Sequence, residues 1–135
     1  MNTKALFETR FGKLAWDIYQ WCVKNDLWGD NTIYFDGHAI TNCIQWGSDS
    51  EKANALLCPD PRAKLYYFKD KNPRDYFEYV NPEGLSMSFE GSLNHVLNAY
   101  TPGWAKLEEE FRKIFARHGC YYEMGHSWNL TTYDL

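Results

Sequence analysis

Between Trp104 and Gly119 the apolar residues Trp104, Leu107, Phe111, Ile114 and Phe115 recur at three- and four-residue intervals, the spacing of one helical face. Such a stripe must be covered by the rest of the chain. Thr101 is the expected N-cap, Pro102 the expected first helical residue, and His118 with Gly119 the expected stop. Lys106, Glu108, Glu109, Glu110, Arg112, Lys113 and Arg117 form the solvated outer face. A second stripe, through Leu6, Phe7, Phe11, Leu14, Ile18, Trp21 and Cys22, predicts one long helix over residues 4–26. Asn2 or Thr3 would cap it, and Gly12 would cost it about 1 kcal/mol.

The cover for these stripes lies between and after them. Thr32-Ile33-Tyr34-Phe35, Asp36-Gly37 and His38-Ala39-Ile40-Thr41 carry the signature of a two-residue hairpin. The second strand is expected to reach Trp46, before a polar loop over residues 47–51 and one or two helical turns over residues 51–57. Further strands are expected at residues 65–69, 76–80 and 85–89, the last two joined by the turn Asn81-Pro82-Glu83-Gly84. Leu85, Met87 and Phe89 alternate with Ser86 and Ser88, which gives the sheet a core face and a wetter face. A short helix over residues 92–99 carries Leu93, Val96 and Leu97, and two closing strands surround Gly125-His126-Ser127. The reading is one α+β domain over residues 1–135. Its expected architecture is a two-layer sandwich, mainly antiparallel sheet, with both long amphipathic helices on one face.

Hydrophobic residues at 44% and charged residues at 24% exclude a disordered chain. The aromatic fraction, 18%, exceeds what a core of this size needs, which points either to rings on the surface or to an aromatic-rich core whose Tyr hydroxyls reach solvent. A formal charge of −4 excludes wholesale coating of nucleic acid, because the averaged field repels phosphate. Cys22, Cys43, Cys58 and Cys120 show no C-x-x-C pairing, and the first residues lack a basic and then apolar leader pattern. Reduced thiols and a cytoplasmic location are therefore expected, with no membrane span and no cofactor.

Candidate chemistry is sparse. His118, Cys120 and His126 beside Glu123 offer zinc-type ligands, but at a spacing that belongs to no ordinary zinc motif. A nucleophilic cysteine needs an imidazole within reach; Cys43 and His38 are nearest in sequence, yet their odd separation puts them on opposite faces of a strand. Asp30, Asp36, Glu123 and Asp134 could act as acid and base, although carboxylates near turns are accounted for by turn chemistry. No glycine-rich phosphate loop occurs.

Basic and aromatic residues interleave over residues 62–74, where Arg62, Lys64, Lys69, Lys71 and Arg74 surround Tyr66, Tyr67 and Phe68. Single-stranded nucleic acid could stack and neutralise there. A protein partner uses the same residue types, and needs no catalytic geometry. The expected partner-binding set is Trp46, Tyr66, Tyr67, Tyr76 and Tyr79, with Arg62, Lys69 and Arg74 at the rim. The chain is expected to act alone or as a homodimer. The alternatives to a binding module are a small metal- or Cys/His-dependent hydrolase and a nucleic-acid binder.

Residues Leu85-Ser86-Met87-Ser88-Phe89-Glu90-Gly91-Ser92-Leu93 and Tyr121-Tyr122-Glu123-Met124-Gly125-His126-Ser127-Trp128-Asn129-Leu130 look like segments of small accessory proteins carried by bacteriophages and mobile elements. The resemblance covers the C-terminal half only. It implies a short protein that blocks a larger host machine, as anti-defence and anti-CRISPR inhibitors do, and it assigns no site residues.

Overall fold

The computed structural model describes residues 3–42, 54–56 and 63–135, with backbone alone for 3–4 and 54–56. Its helices are α1 (Thr3–Leu6), α2 (Arg10–Lys24), α3 (Ser92–Leu97) and α4 (Trp104–Arg117). Its strands are β1 (Asn31–Phe35), β2 (His38–Thr41), β3 (Asn54–Leu56), β4 (Leu65–Phe68), β5 (Ser86–Phe89), β6 (Cys120–Met124) and β7 (Asn129–Asp134). The strands form one sheet in the order β3-β4-β2-β1-β5-β7-β6, antiparallel at every pairing. Helices α2, α3 and α4 share a core with one face of this sheet, as the α+β sandwich requires.

The hairpin forms as its turn residues dictate. Asp36 and Gly37 both adopt positive φ, 53° and 83°, which gives the strands the twist that lets Phe35 face His38 and Ile33 face Ile40. Alternation then sorts the side chains. Ile33, Phe35, Ile40, Tyr67, Met87 and Phe89 join the helix-side core, together with Leu14, Ile18, Phe111 and Phe115.

Several local expectations need correction. The single helix over residues 4–26 is broken at residues 7–9, because Thr9 is the N-cap of α2 and its side chain accepts a hydrogen bond from the Gly12 N–H at 2.9 Å. Helix α4 starts at Trp104 behind a left-handed Gly103, so Thr101 caps nothing; its carbonyl instead closes a turn with the Trp104 N–H. Of the α4 stripe only Phe111, Ile114 and Phe115 are buried, while Trp104 remains 37% exposed. Residues 54–56 form strand rather than helix, since pairing with β4 overrides a weak local preference. The remainder of that stretch, with the expected extension of β2 to Trp46 and the loop at 47–51, lies outside the described residues.

Residues 76–80 are not a strand either. After a short 3-10 turn (Pro73–Asp75), this segment crosses the second face of the sheet and lays Phe77 on Tyr34 and Ala39. Asn81 fastens it to β7, its N–H donating to Thr131 Oγ1 at 2.9 Å and its side chain to the Thr132 carbonyl at 2.7 Å. The face expected to be wet is therefore polar but partly sealed. Ser86 is fully buried and bonds Thr131 at 2.8 Å, and Thr32 donates to Thr41 at 3.1 Å.

His38 illustrates how this packing couples to pH. Its ring lies edge-on to Phe35 at 4.5 Å and against Tyr67 at 5.1 Å, and its Nε2 is buried without a hydrogen-bond partner among the described residues. Burial lowers its pKa from 6.5, with Asp36 opposing in part. The unfolded chain then takes up the proton first. The stability His38 contributes is complete above pH 6.5 and is lost as pH falls through the lowered native value. Denaturant midpoints measured from pH 7 downward should decline less steeply in His38→Gln than in the wild type; identical slopes would show that His38 does not titrate differently in the fold.

Candidate functional site

On the face opposite the helices lies a chain of six rings. Tyr76 stacks on Tyr34 with centroids 5.7 Å apart, Tyr34 meets Phe77 edge-on at 5.8 Å, and Phe77 meets Trp128 edge-on at 5.7 Å. Trp128 stacks on His126 at 5.6 Å with the planes 9° apart, and His126 contacts Tyr79 at 5.3 Å. The middle of the chain is anchored: Tyr34 and Phe77 are 4% and 5% exposed. Its ends are open, with Tyr76 at 40% and Tyr79 at 55%.

Each ring is placed by a local rule. Tyr34 points away from the helices because it alternates with Ile33 and Phe35 on β1. Phe77 and Tyr79 belong to the covering segment. Trp128 closes the β6–β7 turn, where the Asn129 side chain accepts from the His126 N–H at 3.1 Å. Tyr79 is wedged against that turn: a Cβ at Gly125 would come within 2.9 Å of the Tyr79 Cβ and 2.3 Å of Asn129 Oδ1, so glycine is required by close approach.

A cup of about 250 Å³ opens beside this chain, walled by Tyr34, Tyr76, Phe77 and Trp128 and lined also by Ser88, Asp30 and Glu90. Burial raises the pKa of the Tyr34 hydroxyl well above its ordinary value, Tyr76 and Glu90 adding to the shift and a hydrogen bond with Ser88 opposing it. Tyr34 stays a neutral phenol at any physiological pH.

The partner-binding residues expected from the sequence are only partly brought together. Tyr76 and Tyr79 sit at the two ends of the ring chain. Tyr66 and Tyr67 point to opposite faces of β4, and Tyr67, 6% exposed, belongs to the helix-side core, which removes it as a surface anchor. Lys69 and Arg74 are exposed, and Asn72 caps the turn beneath Arg74 by accepting its backbone N–H at 3.0 Å. Trp46 and Arg62 lie outside the described residues. In the basic stretch at 62–74 Phe68 is buried beside Tyr67, leaving half-buried Tyr66 as its one partly open ring among the described residues.

The candidate catalytic and metal groups have other partners. His118 Nε2 lies 2.7 Å from Asp17 Oδ2, Cys120 donates to the Phe115 carbonyl at 3.5 Å, and His126 stands with Trp128 beyond the far end of β6. Asp36 accepts from the Thr9 hydroxyl, and Asp134 pairs with Arg10 at 2.8 Å. Among the described residues no group of three or more His, Cys, Asp or Glu side chains is placed to hold a metal ion. Cys22 and Cys120 are buried free thiols whose pKa values burial raises, the reverse of what a nucleophile requires. Cys43 and Cys58 lie outside the described residues. No helix among the described residues is long and apolar enough to cross a membrane.

Sequence reasoning missed Tyr34, Phe77 and Trp128. The alternation on β1 carried the signal for Tyr34; nothing local announced that residues 76–80 would fold across it. No family model, curated protein or solved structure matches the chain.

Proposed function

We propose that this chain is a protein-binding module that engages its partner through the aromatic face between Tyr76 and Tyr79. The observation that carries the reading is the continuous chain of six rings, buried at its centre and open at both ends. Rings held from behind by other rings have little rotamer entropy left to lose, so their exposed area is converted efficiently into affinity. An interface of standard size asks for about 800 Å² from this side. The resemblance of residues 85–93 and 121–130 to phage accessory proteins supports a host defence machine as the partner, blocked by occupation of its surface rather than by chemistry.

Tagged protein recovered from nuclease-treated bacterial lysate is the direct test. The wild type is expected to retain a stoichiometric protein partner, and Tyr76→Ala/Tyr79→Ala to weaken that complex about tenfold or more, while Lys113→Ala on the opposite face leaves it unchanged. Both replaced tyrosines are open to solvent, so the fold should tolerate the change. Partner binding by the double variant at wild-type affinity would overturn the assignment of this face.

A further inference from the structure

We propose that the cup formed by Tyr34, Tyr76, Phe77 and Trp128 with Asp30 and Glu90 receives the guanidinium of an arginine side chain presented by the protein partner. This inference rests on the reading of the aromatic face as an interface, and adds what that face selects.

Four aromatic rings and two carboxylates converge on one concavity, and among the described residues neither a lysine nor an arginine lines it. Ring faces and carboxylates attract the same kind of guest, a cation. A volume near 250 Å³ is below that of ordinary cofactor pockets and suits the head of one side chain. A guanidinium satisfies the geometry better than an ammonium. It is flat enough to stack on a ring while its edge donates to carboxylates, and it is less strongly hydrated.

The backbone that carries the two carboxylates is fixed. The Glu90 N–H donates to the Asp30 carbonyl at 3.2 Å, and the Asp30 N–H donates to Asn42 Oδ1 at 2.8 Å. Asp30 is held at φ 60°, a conformation Asp and Asn accept readily. Neither carboxylate has an ion-pair partner among the described residues. The overall charge of −4 adds an attractive background for a basic guest.

The probe is Nα-acetyl-arginine methylamide, titrated into the full chain while the Trp128 indole N–H is followed by NMR, with the citrulline analogue as a neutral isostere. Saturable shifts at Trp128 are expected with arginine, and binding about tenfold weaker or worse with citrulline. Glu90→Gln and Asp30→Asn should each weaken the arginine probe about threefold or more; both sites are exposed and asparagine suits the Asp30 conformation, so folding is retained. Absence of saturable shifts, equal binding of citrulline, or equal binding of the matching lysine probe would each overturn the guanidinium assignment. The two levels separate cleanly. If Tyr76→Ala/Tyr79→Ala releases the partner while the arginine probe never binds, the face stands and the cup falls; if the double variant keeps the partner, the face itself is wrong.

Discussion

Replacing Phe115 with alanine is expected to destabilise the fold by about 3–5 kcal/mol, read as a fall in the urea midpoint at unchanged cooperativity. Phe115 is fully buried in α4, edge-on to Phe111 at 4.9 Å and tilted against Tyr122 of β6 at 4.9 Å. It therefore joins the helix layer to an outermost strand of the sheet. Removing the ring takes away transfer energy and leaves a cavity that the neighbouring aromatics, themselves in contact with each other at 5.3 Å, are poorly placed to fill. Trp104 of the same stripe is the internal control. At 37% exposure it should lose about 1 kcal/mol or less on truncation. Equal losses at the two positions would mean that α4 does not present Phe115 to the sheet.

Gly12→Ala is expected to reverse the usual sign of its substitution. Alanine inside a helix ordinarily stabilises by about 0.5–1 kcal/mol relative to glycine. At Gly12 an added Cβ would lie 2.4 Å from the Leu6 carbonyl oxygen, 2.8 Å from the capping oxygen of Thr9 and 2.9 Å from the Phe7 Cα. Two of those three neighbours are backbone and cannot swing aside. The variant should lose about 1–3 kcal/mol by the same urea assay, through displacement of the α1–α2 connection and strain on the Thr9 cap. A stabilised variant would contradict the close approach.

These two sites show where local pattern suffices and where it fails. The α4 stripe placed Phe111, Ile114 and Phe115 on the core because helical periodicity is set within a few residues. The Asp36-Gly37 turn was legible for the same reason, as backbone sterics alone decide which residues accept positive φ. Gly12 passes for a tolerated weakness because nothing in the sequence shows that Leu6 and Phe7 turn back against it. The Thr9 cap is hidden for a related reason: the apolar spacing runs unbroken from Leu6 to Phe11, so the interruption is invisible until the chain folds.

The site was less legible than the fold. Tyr76 and Tyr79 stand out in the sequence as aromatic anchors, yet what gives them meaning is a row of contacts spanning β1, the covering segment and the β6–β7 turn. Such contacts join residues as distant as Tyr34 and Phe77, or Phe77 and Trp128, and no window of sequence contains both members. The segment 76–80 has strand-like composition because it, too, is half apolar and half open. It lies across the sheet instead of within it because Asn81 fastens it to β7 and Phe77 finds Tyr34. Tyr67 failed as a surface residue through register: beside Tyr66 on one strand, only one of the two can share a face with Tyr34.

The measurement closest to the central claim is oxidative footprinting of the chain, free and in its recovered complex, read residue by residue on the aromatic side chains. The account predicts strong protection at Tyr76, Tyr79 and Trp128, with unchanged labelling of Tyr100 and Trp104 among the exposed aromatics away from the ring chain. Protection confined to Tyr100, Trp104 or the β6 residue Tyr121, with Tyr76 and Tyr79 labelled as in the free protein, would contradict it.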